Sequence, residues 1–304
     1  MMMKTAAKPL AKKWIATFWV DMRRLKNLGQ RRIWGCVHVA LLGLMLAAGA
    51  AQAGDTKWKA VDPENVLVVD TAKGRIFVEL HPEMAPKAVE RIKLLTRRGT
   101  YDGLQFWRVA PNFVVQIDVG NVEGGKTELP NLPPEFRFRL KVDAPHTVIA
   151  KPKGLESGFI GAMPYIAVEK NSWGTPKAAD GSRSAWISYC TGVVGMGRDA
   201  ERDSANAELF FMTGVYPGID REYTPVGRVV VGQDILAGLP QGEPPAAPDV
   251  IRTVRVLADV KDNGRLEVED TAGTGFAEKV AVIRAERGAD FSACDVPVAG
   301  RVAS

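Results

Sequence analysis

At 304 residues the chain has room for one or two domains. Its formal charge of +5 would suit an anionic partner, but nine of the 40 basic residues and one of the 35 acidic ones fall in residues 1–53. Residues 54–304 carry 31 basic against 34 acidic residues, so charge gives no support to nucleic-acid binding.

Residues 37–50 are apolar and run into Ala51-Gln52-Ala53. A basic flank, a short apolar core and a small-x-small site make the pattern of a secretory signal peptide cut after Ala53, so the mature chain is expected to be exported, to the periplasm if the source is bacterial. The alternative is an uncleaved anchor, but the run is shorter than the roughly 20 residues of a spanning helix. Initiation at Met22 would give the more ordinary start Met-Arg-Arg-Leu-Lys and would make residues 1–21 an artefact of start assignment. Past the leader, Cys190 and Cys294 remain. An oxidising compartment permits a bridge between them, although sequence does not show that their Cα atoms approach. His38, His81 and His146 are scattered, and no Cys/His cluster has metal-ligand spacing, so neither a metal nor a cofactor is expected.

Residues 54–65, with Trp58 and Pro63, read as an exposed polar lead-in. Residues 66–70 and 75–80 are β-rich and flank Ala72-Lys73-Gly74, a hairpin pattern. Residues 85–99 predict a helix, with Pro86 in its first turn, Val89, Ile92 and Leu95 or Thr96 on one stripe, and Gly99 just past its end. Arg97 and Arg98 complement the dipole of its last turn. The chain is organised around residues 101–118. There a Tyr101-Asp102-Gly103 turn precedes two apolar pieces, 104–109 and 113–117, split by Pro111-Asn112. Arg108 and Gln116 interrupt them. An arginine is seldom buried unless paired, so Arg108 belongs at a core edge facing a groove, or else on the polar side of an alternating strand.

Farther on, residues 123–134 read as loop, 136–140 as strand, 143–153 and 159–164 as ambiguous, and 171–184 as an insertion loop. Strands are predicted at 192–196, 208–212, 228–231 and 250–257, with a loop at 219–223, a short helix at 233–239 and a loop at 241–248. Phe276, Val280 and Ile283 give residues 274–287 helical spacing. Gly195-Met196-Gly197 lacks the third glycine and following helix of a dinucleotide loop. No Gly-x-Ser-x-Gly elbow supports a hydrolase.

The pattern Tyr-Asp-Gly-Leu-x-Phe-x-Arg-Val-x-x-x-Phe-x-x-Gln, from Tyr101 to Gln116, resembles the signature of cyclophilin-type peptidyl-prolyl isomerases. Two further segments come in the family's order: Gly192 to Met196 with Ser204-Ala205-Asn206 and Phe210-Phe211, then Tyr223-Thr224-Pro225-Val226-Gly227-Arg228-Val229. The resemblance covers residues 66–260. It implies a mainly β fold: a closed eight-stranded antiparallel barrel capped by two helices, with a loop insertion at about 131–190 and a short C-terminal extension, 261–304, carrying one helix. It also implies a bacterial, exported enzyme acting on proline-containing polypeptides, with no nucleic-acid partner and no membrane anchor once the leader is cut.

The same resemblance assigns the groove. Arg108 and Gln116 would be catalytic, Phe113, Met196 and Phe210 would wall the proline pocket, and Glu208, Ile219 and Tyr223 would complete the substrate surface. Rotation about an Xaa-Pro bond crosses roughly 18–20 kcal/mol because the amide is conjugated. Lowering that barrier requires groups that favour the twisted amide over both planar forms. A fixed guanidinium, charged and planar, would do so at the prolyl nitrogen, where twisting leaves a lone pair. Three departures stand out. Glu208-Leu209-Phe210 replaces the family's Gln-Phe-Phe, Trp107 replaces a histidine, and the tryptophan near Ile219 has no counterpart, Gly218 and Tyr216 being nearest. An acid at 208 could hold Arg108 in place or compete for it, and a proline-binding or chaperone-like module on the same barrel is the alternative function.

Overall fold

The computed structural model describes residues 56–117, 119–121, 127–169, 178–261 and 264–303. The predicted leader lies outside them, as do most of the 123–134 loop's first half and residues 171–177. Among the described residues no helix is long and apolar enough to cross a membrane.

The lead-in is not wholly irregular, since Trp58–Ala60 forms a short strand, β1. It is followed by the predicted hairpin, β2 (Val66–Thr71) and β3 (Gly74–Leu80). Thr71 fixes the turn, its Oγ1 donating to the Gly74 carbonyl at 2.8 Å and accepting from the Lys73 N–H at 3.1 Å. Alternation along the hairpin serves two cores. Leu67, Val69, Ile76 and Val78 face the interior of the large sheet, whereas Val66, Val68 and Phe77 face the C-terminal extension. A strand buried on both faces reads as a continuous apolar run. Helix α1 (Pro86–Arg97) buries Ala88, Val89, Ile92, Leu95 and Thr96, the predicted stripe, and ends at Gly99 with φ +71°.

Strands β4 (Arg108–Ala110) and β5 (Val114–Ile117) follow. Next come five not anticipated as a unit: β6 (Phe138–Leu140), β7 (Thr147–Ala150), β8 (Leu155–Ile160), β9 (Met163–Val168) and β10 (Arg183–Ile187). They form a separate antiparallel sheet in the order β6-β10-β9-β8-β7, so the expected loop insertion is corrected to a second sheet. Its turns depend on Gly154 and Gly161, at φ +74° and +56°. β6 lies within the strand predicted at 136–140, whereas β9 is buried on both sides over much of its length and shows no alternation.

Strands β11 (Val193–Met196), β12 (Leu209–Met212) and β13 (Thr224–Val231), helix α2 (Gln233–Ala237) and β14 (Ile251–Val256) complete the large sheet. Its order is β14-β2-β3-β13-β11-β12-β5-β4. This corrects the expected closed barrel to a curled but open eight-stranded sheet. The edge strands β14 and β4 do not ladder together. They are joined by an isolated Gln105–Val250 bridge and by neighbouring bonds such as Phe106 N–H to the Asp249 carbonyl at 3.1 Å. Because β4 holds three residues, there is too little strand at the seam to close it.

The extension supplies β15 (Arg265–Glu269), helix α3 (Thr274–Arg287) and β16 (Gly300–Ala303). β1, β15 and β16 make a three-stranded sheet, so the extension carries more than the one helix predicted. Phe276 packs edge-on against Phe159 at 5.4 Å, and burying such a ring contributes roughly 2–3 kcal/mol. Cys190 and Cys294 are disulfide-bonded, with Cα atoms 4.9 Å apart.

One buried polar cluster joins large and second sheets. Glu79 accepts the Ala162 N–H at 3.2 Å and lies 3.3 Å from His81, which contacts Glu83 at 2.7 Å on its other nitrogen. Arg228 donates to the Ala162 carbonyl at 2.7 Å, and its burial pushes the guanidinium down to about 10 despite Glu79 nearby.

Candidate active site

Register assembles the site. Arg108 on β4 lies opposite Gln116 on β5, and Gln116 lies opposite Phe210 on β12. Directly opposed residues share a face, so the three side chains form one row across three strands. That face is opposite the interior core, since the flanking Val115, Ile117, Leu209 and Phe211 point inward. Next in the row is Gly195 on β11. A Cβ there would sit 2.4 Å from the Phe210 ring, so the ring can lie across its neighbour strand only if that neighbour is glycine. The Pro111-Asn112 turn, with Asn112 at φ +53°, brings Phe113 round beside Arg108. The guanidinium carbon lies 5.8 Å from the Phe113 ring centroid, a cation–π distance.

The polar part is a chain of four residues. Glu243 accepts from Arg108 Nε at 3.0 Å, Arg108 Nη1 donates to Gln116 Oε1 at 3.2 Å, and Gln116 Nε2 donates to Glu208 Oε1. Gln116 therefore presents its oxygen to the cation and its nitrogen to the acid, each group meeting its proper partner. An apolar wall faces this chain. Phe210 meets Tyr223 edge-on at 5.5 Å and Tyr189 at 5.6 Å, and Phe113 meets Tyr216 at 4.9 Å. Behind the wall Asp220 accepts the Tyr189 N–H at 2.9 Å. Burial raises the Asp220 carboxyl above the usual carboxylate range although that bond opposes it. Burial, then Asp220 and Tyr223, push the Tyr189 phenol well up, so it stays neutral.

The cavity so enclosed is about 200 Å³, lined by Arg108, Phe113, Val114, Gln116, Gly197, Arg198, Glu208, Phe210, Ile219 and Tyr223. Of the residues expected from sequence, Met196 is the one it leaves out. Met196 is 1% exposed and belongs to the interior core, opposite Leu209 in register. Val114 takes the wall position instead, and strand parity could have found it, because it lies two residues before Gln116 and so on the same face. Arg198 was also missed. It stacks 4.7 Å over Tyr223 and donates from Nε to the Glu222 carbonyl at 3.0 Å. Glu243, 135 residues from its partner Arg108, carried no local cue. A second cavity of about 300 Å³ adjoins the first and shares Gly197, Arg198 and Glu208 with it, and Asn131, Ser204 and Asn206 make its wall polar.

The pocket sets an apolar wall against a charged rim that carries an oriented guanidinium, and among the described residues it holds no nucleophile–base pair. It can grip a hydrophobic ring and stabilise developing lone-pair density beside it. The family "Cyclophilin type peptidyl-prolyl cis-trans isomerase/CLD" matches residues 66–256. The chain belongs to that family and is an isomerase of its type. It is 30% identical over 221 residues to a probable peptidyl-prolyl cis-trans isomerase of Brucella suis, covering 71% of this chain and 92% of that one. A Brucella abortus protein of the same description is 29% identical over the same length. Among solved structures, cyclophilin AquaCyp293 from Hirschia baltica superposes with a TM-score of 0.72 at 29% identity, over 81% of this chain and 94% of that one. This coverage exceeds residues 66–256, so the likeness runs beyond the family match.

Proposed function

We propose that the protein is exported to the periplasm and accelerates Xaa-Pro rotation in exported polypeptides, with Arg108 as the catalytic group. The observation that carries this reading is the row Arg108–Gln116–Phe210, which sets a held guanidinium opposite the apolar wall of a pocket. Phe113, Val114, Phe210 and Ile219 grip the proline ring, and the preceding residue swings past Arg108. As the amide twists, the prolyl nitrogen regains its lone pair and accepts from the guanidinium, an interaction that strengthens only on the way to the transition state. Gln116 keeps the cation aimed. Neither nucleophile nor cofactor takes part. Export is supported by the basic leader with its Ala51-Gln52-Ala53 end and by the Cys190–Cys294 pair, since such bonds persist in oxidising compartments. Proline isomerisation is among the slow steps of folding, and newly exported chains are the clients proposed.

The test is isomerisation of an Xaa-Pro peptide by the purified protein and by Arg108→Ala. Acceleration by wild type that is lost in the variant supports the reading. A folded wild type that binds proline peptides without accelerating them would favour the binding-module alternative, which the two acids flanking the Arg108–Gln116 pair keep open.

A further inference from the structure

The structure assigns Glu243 as the positioning residue for Arg108, an inference that rests on the isomerase reading above. Arg108 is held through two different nitrogens by two different elements, Nε by Glu243 at 3.0 Å and Nη1 by Gln116 at 3.2 Å. Two contacts at separate corners of a planar group fix its plane as well as its place. Among the described residues Nη2 makes no hydrogen bond, and that donor remains for substrate. Without Glu243, Gln116 and the Phe113 ring would still hold the guanidinium, but its Nε corner would be left unpinned.

The loop that carries Glu243 is tied to the strand that carries Arg108. Gly242 and Val109 exchange two backbone hydrogen bonds, 2.8 and 3.1 Å, one residue away from each partner of the ion pair. Gly242 also bridges Pro245. A Cβ on Gly242 would lie 2.6 Å from the Pro245 Cα, and its φ is +148°, so the turn that presents Glu243 requires glycine there. With Arg108 30% and Glu243 55% exposed, the pair lies in solvent that screens it strongly. A competing role, in which the carboxylate merely neutralises the catalytic cation, predicts the opposite sign when Glu243 is removed.

The experiment compares wild type, Glu243→Ala and Glu243→Gln in isomerisation of an Xaa-Pro peptide, each also on an Arg108→Ala background. Glu243→Ala should lower kcat about tenfold while KM moves less than about twofold, because alignment rather than binding is lost. Glu243→Gln, which keeps an acceptor, should recover most of the rate. On the Arg108→Ala background Glu243→Ala should change nothing further. In nitrogen-15 spectra the Arg108 Nε–H signal should be protected in wild type and exchange-broadened in Glu243→Ala. Unchanged or increased kcat in Glu243→Ala overturns the assignment, as does an equal loss without Arg108 or an unaltered Nε–H signal. An inert wild type would instead strike the isomerase role of Arg108, and the Nε–H signal would still report whether Glu243 orients it.

Discussion

The groove and the C-terminal extension both lean on the eight-stranded sheet, yet they are built by different physics. The groove is a row laid across strands by register, Arg108, Gln116 and Phe210, whose polar members are aimed by hydrogen bonds running from Glu243 through Arg108 and Gln116 to Glu208. The extension is held by apolar packing of Leu266, Val268, Phe276 and Val296 against Val66, Val68 and Phe77, and by one covalent bond. Directional contacts set chemistry at little cost to stability, whereas non-directional burial sets stability and leaves chemistry alone. Substitutions on the two sides should therefore separate cleanly into rate effects and stability effects.

The largest expected effect is on the extension. Phe276→Ala removes a ring that is 1% exposed and in contact with Phe159, and should cost about 3–5 kcal/mol in denaturant unfolding with kcat/KM per folded molecule unchanged. Next is Arg108→Ala, the reverse case: kcat/KM should fall about 10²–10³-fold while the unfolding midpoint stays put. Opening the disulfide by Cys190→Ala together with Cys294→Ala frees a span of 104 residues and should cost about 2–4 kcal/mol. Since Tyr189, beside Cys190, backs the Phe210 wall, a rate loss exceeding the loss of folded protein would show that the two regions are coupled.

A smaller effect concerns pH. Burial alone would depress His81, but Glu79 and Glu83 outweigh it and raise its pKa to about 10. An unfolded histidine titrates near about 6.5, so the folded chain holds an extra proton between these values. The stability that the His81 proton contributes is complete below about pH 6.5 and is lost as pH rises toward 10. Urea midpoints should decline across that window, and His81→Gln should flatten the decline.

Much of the groove was legible because its chemistry is local. The Tyr101–Gln116 pattern carries the turn, the arginine, the aromatic and the glutamine within one hairpin, and α1 announced itself by Pro86, its stripe and Gly99. Illegible parts depend on distant partners. Met196 and Val114 differ only in which face of a strand they take, and Glu243 reaches Arg108 from a loop 135 residues away. Seam closure failed for a related reason, since composition does not reveal that β4 stops after three residues. In the second sheet and the extension, β6 and the helix at 274–287 were legible, whereas β9 and β15 are covered on both sides for most of their length and lose the alternation that betrays a strand.

The most direct test of the central claim, that a fork-shaped cation aimed by the strand row does the work, is the isomerisation rate of Arg108→Lys. Lysine keeps the charge but offers a flexible point donor that cannot meet Gln116 and Glu243 as a plane. We predict a kcat/KM close to that of Arg108→Ala, with peptide binding and unfolding midpoint near wild type. A lysine variant that retained most of the wild-type rate would contradict the account, because charge alone would then suffice.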